Sequence, residues 1–430
     1  MRFRDAHVVR QSKQAFFRGL DSSRLARFCY AISGRMKFRN FPIYRIEWIT
    51  SIFLIGTALL SLTVVPWFLW TQYHLAADAP GKVQGWAFVW AMFVFYYYAT
   101  GFGITLGYHR LFSHLSFKAK WPVKLFVLLF GAASFENSAL DWSADHRIHH
   151  KHVDEDEDPY DISKGFFYAH IGWLLFRLKP KPPVTNVKDL EADPLVMWQH
   201  RYVQWIGLTV GFITPTLLGW AWGYFNGYAS PGMTALAAFL IAGLLRTVVV
   251  QQGTFCINSL CHMVGRQPYS TTHSARDSGS VALLTFGEGY HNYHHEFQHD
   301  YRNGVKAWQF DPTKWIIWSL EKIGMVQDLR RVPDARILAA ELKEKSRTLG
   351  SDIDKLAARL DARTRELKAR TIAAAHALAK ELAERSEALK EAALTKADVG
   401  TETMTELRSL LQEAAEMLES LRRADAGATA

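Results

Sequence analysis

Cysteine is scarce in this chain of 430 residues. The three cysteines are Cys29, Cys256 and Cys261, and their spacing fits neither a zinc site nor a disulfide framework. A buried free cysteine behaves as a small apolar side chain, which is the interpretation we favour for all three.

Charge is missing from long stretches. Residues 48–70, 85–108 and 202–245 contain no charged side chain, and the last of these stretches is broken by a turn sequence at 226–232. Crossing a bilayer takes about 20 apolar residues. The sequence therefore predicts an all-α integral membrane protein with four spans in two hairpins, at about 48–70, 85–107, 203–225 and 233–254. Arg246 and the glutamines at 251–252 indicate that the end of the fourth span is immersed in protein.

Positive charge is concentrated on one predicted side of the membrane. The N-terminal residues are rich in Arg and Lys, whereas the loops after the first and third spans carry almost no charge. The positive-inside rule then places both termini and residues 109–200 in the cytoplasm. The first 40 residues lack the apolar run of a signal peptide. We expect the formal charge of +9 to meet lipid headgroups, since the chain has no nucleic-acid motif.

Composition divides the chain into a basic, interfacial segment (1–45), a membrane domain with a cytoplasmic His-rich cap (46–330) and a C-terminal extension (334–425). Two apolar stretches, 121–135 and 165–178, are too short to span and predict interfacial or re-entrant helices. The extension is rich in Ala, Glu, Leu, Lys and Arg. Its leucines predict a coiled-coil-like helical hairpin or a self-association stalk without a catalytic part. These apolar residues are Leu349, Ile353, Leu356, Leu360, Leu367, Leu378, Leu382 and Leu389.

Histidine, by contrast, is abundant and clustered. Nine of the seventeen histidines form groups that follow a span or lie in the predicted cytoplasmic stretches: His109, His114, His146, His149, His150, His262, His291, His294 and His295. Positions i, i+3 and i+4 share one helical face, so each HxxHH group presents three imidazoles together. The pair at 109 and 114 is five residues apart and needs a helix end or a distortion to converge. Neutral imidazole suits iron, copper, zinc and nickel, and nine ligands would serve two metals with four or five each.

The remaining histidines are not predicted to bind metal. His152, His170, His273 and His299 lie near the clusters outside their spacing, which favours surface positions or contacts behind the ligands. A His-rich loop that binds metal adventitiously is the alternative, and several clusters on one side of the membrane argue against it.

At these residues the chain resembles the membrane fatty acid desaturases, in particular the acyl-CoA Δ9 (stearoyl-CoA) type. The matching stretches are "GITLGYHRLFSHLSFKA" (103–119), "DHRIHHKH" (145–152) with its continuation to 175, "NSLCHMVGRQPY" (258–269) and "GEGYHNYHHEFQHDYRNG" (287–304). The resemblance covers about residues 45–330 and not the extension. It implies two iron ions held by the nine clustered histidines, with Asn258 holding a water on one iron. Asp145, Asp158 and Glu288 are candidates for orienting the imidazoles.

The resemblance also implies substrate contacts at Asn137, Trp142, Asp145, Arg177, Thr254 and Phe255. Tyr97 and Gly101 match the positions that close the far end of the acyl tunnel, where Gly101 would leave room for a long tail or else serve helix packing. Three positions depart from the acyl-CoA pattern: Ala144 replaces an Arg, Leu178 a basic residue and Phe255 a Trp. An acyl-lipid or an acyl-carrier-protein substrate therefore stays open beside acyl-CoA.

The implied activity is formation of a cis double bond, at Δ9, in a saturated acyl chain with O2 and two electrons. No haem motif or Cys cluster is present, so the sequence predicts a separate electron donor, such as a ferredoxin, a rubredoxin or a cytochrome b5 with its reductase. The alternatives are a related di-iron hydroxylase or ketolase and, in a different class, a His-rich metal transporter or sensor. The transporter requires polar ligands at mid-membrane, and the first two spans have none.

Overall fold

The computed structural model describes residues 45–178, 184–359, 362–395 and 399–428. The predicted interfacial segment 1–45 lies outside these residues except for its last position. The α-helices are, in chain order, α1 (Trp48–His74), α2 (Trp86–Phe102), α3 (Trp121–Ala132), α4 (Ala139–Lys151), α5 (Trp173–Leu175), α6 (Lys188–Glu191), α7 (Pro194–Leu208), α8 (Thr214–Phe225), α9 (Pro231–Ala238), α10 (Arg246–Ser259), α11 (Gly279–Leu284), α12 (His291–Glu296), α13 (Pro312–Lys322), α14 (Asp334–Arg359), α15 (Ala362–Leu394) and α16 (Thr401–Ala428).

Short π-helical and 3-10 segments connect several of these helices. The π-helices are Gly103–Ser113, Tyr168–Gly172, Thr209–Ile213 and Phe239–Leu245, and the 3-10 helices are Ile162–Lys164 and Leu260–His262. A two-residue ladder pairs β1 (Lys118–Ala119) with β2 (Val326–Gln327) in antiparallel register. It ties the segment after α2 to the end of the cap.

Four helices are long and apolar enough to cross a membrane, as predicted: Trp48–His74, Trp86–Ser113, Pro194–Phe225 and Pro231–His262. The third starts nine residues before the predicted position, because Asp193 accepts a hydrogen bond from the Leu195 amide and Pro194 fits the first helical turn. The second and fourth extend beyond their apolar stretches through π and 3-10 turns. The helices therefore carry their histidines past the expected ends of the spans.

The fourth span is the most enclosed. Its apolar window is 67% buried, against 22% for the first span, which agrees with the expectation from its polar residues. Val65 and Phe68 of the first span, Val89 of the second and Ile241 of the fourth share one apolar core. Thr209–Phe225 of the third span packs against Pro231–Leu245 of the fourth. The first and second spans both pack against the fourth span more than against each other. They therefore do not form a closely packed pair of their own. The predicted arrangement of the spans in hairpins stays a prediction.

The two short apolar stretches differ in form. The first forms α3 (Trp121–Ala132), a helix too short to span. The second contains the π-helix Tyr168–Gly172 and the single turn α5, and ends where Phe176 pairs with Ile46 in an isolated β-bridge. An interfacial position for both stays a prediction.

The C-terminal extension consists of α14, α15 and α16, which share an apolar core that includes Leu349, Ile353, Leu382 and Leu407. Leu360 lies outside the described residues, as does the side chain of Leu367. Three helices thus pack together where the sequence indicated a hairpin or stalk. The coiled-coil character of the extension stays a prediction.

The first helix of the extension also contacts the cap. Ile337 of α14 is 7% exposed and packs in one cluster with Tyr269, Tyr293 and Phe297. Tyr269 additionally hydrogen-bonds Glu341 of α14. Because Tyr293 belongs to α12, α14 buttresses the helix that carries three of the clustered histidines.

We expect Ile337→Ala to destabilise the cap by about 2–4 kcal/mol, since it leaves a cavity behind α12. Hydrogen exchange across residues 265–297 should rise in this variant. Leu382→Ala is the matched control, because Leu382 is also buried but lies in the core of the extension alone. Equal exchange of residues 265–297 in both variants would contradict the buttressing role.

Candidate metal centre

His109 and His114 converge because the second span changes its helical period. The backbone of Gly103–Ser113 is a π-helix, and the amide of His114 donates to the carbonyl of His109 at 3.1 Å. An i→i+5 hydrogen bond places residues five apart on one face. The distortion that the spacing demanded is therefore present, and it brings the two ring centroids to 4.7 Å.

The HxxHH groups lie on two short helices that face each other. His146, His149 and His150 occupy the last two turns of α4, whose N-terminus is capped by the Ser138 side chain. His291, His294 and His295 make up half of α12. The rings of His150 and His295 stack across the gap, with centroids 4.2 Å apart. His262 joins them from the 3-10 turn that ends the fourth span.

All nine clustered histidines fall into two groups, each with ligand nitrogens within 4.8 Å of one another. The five-histidine group comprises His109, His114, His146, His150 and His294, and the four-histidine group comprises His149, His262, His291 and His295. This division into five and four agrees with the two-metal interpretation of the sequence.

The Nε2 atoms point inward in both groups. Nε2 of His294 lies 3.0 Å from Nε2 of His109 and 3.0 Å from Nε2 of His150. In the four-histidine group, Nε2 of His295 is 3.1 Å from that of His291 and 3.3 Å from that of His149. Nitrogens bound to one ion at about 2.1 Å lie at comparable separations.

Several of the opposite ring nitrogens lie close to a polar side chain, whereas Nδ1 of His291 and of His294 has no hydrogen-bond partner among the described residues. Nδ1 of His109 lies 2.9 Å from Glu288, and Nδ1 of His149 lies 2.9 Å from Asp158. The hydroxyls of Tyr160 and Ser274 approach Nδ1 of His146 and His262 at 3.1 and 2.7 Å. Such contacts fix the ring orientation and favour the tautomer with a free Nε2 lone pair. In His262 that Nε2 is buried without a hydrogen-bond partner among the described residues.

Burial and mutual repulsion keep six of these imidazoles neutral. Removal from water, followed by the charge of neighbouring histidines, lowers the pKa well below the usual range for His114, His146, His150, His291, His294 and His295. Neutral imidazole is the form that ligates a transition metal. The donor set therefore fits two transition-metal ions.

Glu288 and Asp158 were anticipated as orienting acids, and both are nearly inaccessible to solvent. Glu288 is also held by Arg110 Nη2 at 2.8 Å, and Arg110 in turn pairs with Asp311 at 3.0 Å. A carboxylate buried against a histidine needs such a counter-charge. Tyr160, Ser274, Arg110 and Asp311 were missed from sequence because their contacts join distant segments.

The four other nearby histidines take different positions. His152 is paired with Glu155 near the surface. His170 bonds Ser259 and Gln252 of the fourth span, and His299 bonds the carbonyl of His114. The ring of His273 lies 5.2 Å from that of His295, behind the four-histidine group. All four lie outside both groups of nitrogens, as predicted.

A cavity of about 490 Å³ opens beside the five-histidine group. His109 and His146 form part of its wall, together with side chains of the first, third and fourth spans. Six positions predicted from sequence also line it: Asn137, Trp142, Asp145, Thr254, Phe255 and Asn258. Most of the remaining wall is apolar, as a hydrocarbon-binding cavity requires.

Three predicted substrate positions lie elsewhere. Arg177 is largely exposed and pairs with Glu47 at 2.5 Å, away from the cavity wall. Tyr97 and Gly101 also lie outside the wall, and a Cβ added to Gly101 would sit 2.3 Å from the Phe286 ring. Phe286 thus occupies the space beside Gly101, which favours the packing alternative, and a role of Gly101 in admitting an acyl tail stays a prediction.

Glu136 is a cavity residue that the sequence analysis missed. Its carboxyl is buried in the wall, where Thr254 and Trp142 hydrogen-bond it and Oε1 lacks a partner among the described residues. Burial raises the pKa of Glu136 to about 8, against the opposing effect of the two hydrogen bonds. The protonated acid is therefore the stable form at neutral pH.

Four apolar spans, two buried groups of neutral imidazoles and an apolar cavity define a membrane protein with a polyhistidine metal centre. Residues 84–323 match the sequence profile of the fatty acid desaturase family. The chain is 43% identical over 258 residues to a probable acyl-CoA desaturase of Schizosaccharomyces pombe and 42% identical over 271 residues to acyl-CoA desaturase 1 of Saccharomyces cerevisiae. It is 39% identical over 256 residues to human stearoyl-CoA desaturase. The chain belongs to the fatty acid desaturase family.

The aligned region covers only part of each protein. It takes in 60%, 63% and 59% of this chain in the three comparisons. The chain spans about half the length of the two yeast relatives, 52% and 51%, and 69% of the human one. The family match ends before the three helices of the extension begin.

Asp158→Asn should weaken metal retention about 10- to 100-fold, because the amide no longer holds the His149 ring with a charge-assisted bond. The measurement is metal content of purified protein by mass spectrometry after titration with a chelator. Glu191→Gln is the control, since Glu191 is exposed and belongs to no group of side chains that could hold a metal ion among the described residues. An Asp158→Asn variant that retains metal like this control would show that the contact does not support the site.

Glu136→Gln should stabilise the protein increasingly as the pH rises. The free carboxyl ionises near pH 4.5, whereas the folded protein keeps the proton until about pH 8. Folding therefore takes up a proton between these values, and stability falls with rising pH by up to roughly 1.4 kcal/mol per unit. The amide removes this loss, so its advantage in melting temperature over the unmodified chain should grow from pH 5 to 8 and then level off. Exposed Glu191→Gln should show no such trend, and a constant difference for Glu136→Gln would contradict the assignment.

Proposed function

We propose that the chain is an O2-dependent acyl-CoA desaturase that introduces a cis double bond, at Δ9, into a saturated acyl chain. One observation carries the proposal: the five-histidine group forms part of the wall of an apolar cavity. A metal-binding group exposed to a hydrocarbon cavity suits a reaction on an unactivated methylene. The names of the relatives support the same reaction.

Two iron ions would fit the site, one held by each histidine group, and Asn258 would hold a water on one of them. When bound, they would supply the O2 activation needed to remove hydrogen from a methylene group, which no side chain can do. In the overall balance, two hydrogens from the acyl chain, two electrons and two protons reduce O2 to two waters.

The protein's own contribution is position and exclusion of water. Trp142 stacks on the His146 ring with centroids 4.7 Å apart. This contact connects the cavity wall to a side chain that is proposed to bind iron. Asn137, Asp145, Thr254 and Phe255 complete the proposed substrate contacts in that wall. A chain held there lies beside the five-histidine group, and correct placement of the reacting carbons accounts for much of the rate enhancement in such reactions.

Acyl-CoA is the proposed carrier because all three relatives are named as desaturases of acyl-CoA or stearoyl-CoA. The headgroup contacts must differ from the usual pattern. Ala144, where that pattern has Arg, is buried in the apolar core, and Leu178 is 36% exposed. We assign the surface residue Arg177 to binding of the CoA headgroup. It would then give up its ion pair with Glu47.

We further propose that the histidine cap and both termini face the cytoplasm, as the loop charges indicate. Electrons would come from a separate donor protein of the ferredoxin, rubredoxin or cytochrome b5 type. The lipid bilayer supplies the surroundings of the four spans, whose exposed side chains include Ile49, Leu62 and Trp67.

The proposal is tested by expressing the chain in cells that lack their own desaturase and locating new double bonds by mass spectrometry. We expect a cis-alkene at Δ9, and none from His149→Ala, which removes a ligand of the four-histidine group. His152→Ala is the matched control from the same helix end and should retain activity.

Assays of purified protein with acyl-CoA, acyl-carrier protein and acyl-lipid, each with a reductant and O2, then identify the carrier. A hydroxylated product without alkene would favour a hydroxylase of the same family. Metal exchange without reductant-dependent O2 consumption would favour a transporter or sensor. Alkene formation by His149→Ala would contradict the ligand assignment.

A further inference from the structure

The turn between α3 and α4 forms part of the cavity wall in an unusual backbone conformation. Phe135 and Asn137 have φ values of 58° and 75°. Residues other than glycine seldom adopt this left-handed region, so the surrounding structure must hold them there. Phe135, Glu136 and Asn137 are consecutive residues of the cavity wall. The shape of the turn therefore decides where these side chains stand.

Two side chains of the fourth span hold the carbonyls of this turn. Arg246 Nη1 donates to the Ala133 carbonyl at 2.7 Å, and Gln251 Nε2 donates to the Ser134 carbonyl at 3.0 Å and the Phe135 carbonyl at 3.4 Å. Carbonyls at a helix C-terminus lack intrahelical partners. Here three successive carbonyls at the end of α3 are satisfied from a helix more than a hundred residues away.

Arg246 is fully buried, which gives the arrangement its rigidity. Its Nη2 donates to the Gly211 carbonyl of the third span at 2.9 Å, and its Nε to the Ala242 carbonyl at 3.0 Å. A Cβ on Gly211 would lie 3.3 Å from Nη2 and 3.4 Å from the Ala133 oxygen, so glycine lets the turn and the guanidinium approach the third span. A buried charge held by fixed carbonyls has few alternative positions.

We propose that Arg246 and Gln251 are positioning residues that set the register of the acyl chain through the 133–137 turn. This inference rests on the proposed function. Neither side chain is among the described residues that line the cavity, so both act through the turn. Without these donors the turn relaxes, and Glu136 and Asn137 shift relative to His109 and His146. The bound acyl chain can then lie one or more carbons away from its correct position.

The test uses Gln251→Met, Arg246→Lys and the control Thr247→Val in the full chain. Met keeps the length of Gln without its donor, and Lys keeps the charge without the fork that bridges two carbonyls. Thr247 is equally buried, but its hydroxyl bonds only Gly243 of its own helix. Each purified protein is assayed for hydrogen exchange of residues 133–138, for kcat and KM with acyl-CoA, and for double-bond position.

We expect faster exchange of the turn in both test variants, a kcat lower by about 10- to 100-fold, and a second positional isomer of the product. Thr247→Val should match the unmodified chain in all three. Loss of packing alone would lower the yield without changing the isomer ratio. If Arg246→Lys does not fold, the milder Gln251→Met decides the matter.

The inference is wrong if the turn stays protected in the test variants. It is also wrong if the turn exchanges faster while kcat and the isomer ratio stay those of Thr247→Val. Absence of alkene from the unmodified chain would instead contradict the proposed function. The exchange measurement would then still decide whether Arg246 and Gln251 hold the turn.

Discussion

Nine imidazole rings converge inside a membrane protein, and this convergence is the constraint on which the rest of the structure depends. Inward-pointing nitrogens about 3 Å apart present lone pairs to one another, and burial lowers the pKa of His294 and His295 so that these rings stay neutral. Polar atoms removed from water need partners, and only a cation can satisfy several lone pairs at once. The helices, turns and acids around the site serve to keep these rings in this otherwise unfavourable arrangement.

Each structural element contributes to that arrangement in a different way. The π-helix of the second span brings His109 and His114 to one face, and the 3-10 turn at the end of the fourth span delivers His262. The short helices α4 and α12 each contribute three rings by ordinary helical spacing. Buried Asp158 and Glu288 hold rings from behind, and Arg110 balances the charge of Glu288. The metal centre is thus assembled from chain segments that only tertiary packing brings together.

The cavity and the metal centre share a wall, which links hydrocarbon binding to the proposed chemistry. Trp142 and His146 belong to one helix, and the turn that precedes this helix is held by the fourth span. In the proposed function, the position of a bound acyl chain would therefore depend on the same helix that carries the proposed metal ligands. The extension contacts a second helix of the site, because Ile337 packs with Tyr293 of α12.

The sequence by itself determined the class of the protein and the identity of the clustered histidines, because apolar length and i, i+3, i+4 spacing are local properties. It also required a distortion between His109 and His114 without indicating a π-helix. Only the tertiary structure decided the division of the rings into five and four, the burial of Asp158 and Glu288, and the cavity position of Glu136. It also decided that Phe286 lies beside Gly101 and that Arg177 lies outside the cavity wall. These outcomes depend on contacts between residues far apart in the chain, which local spacing does not encode.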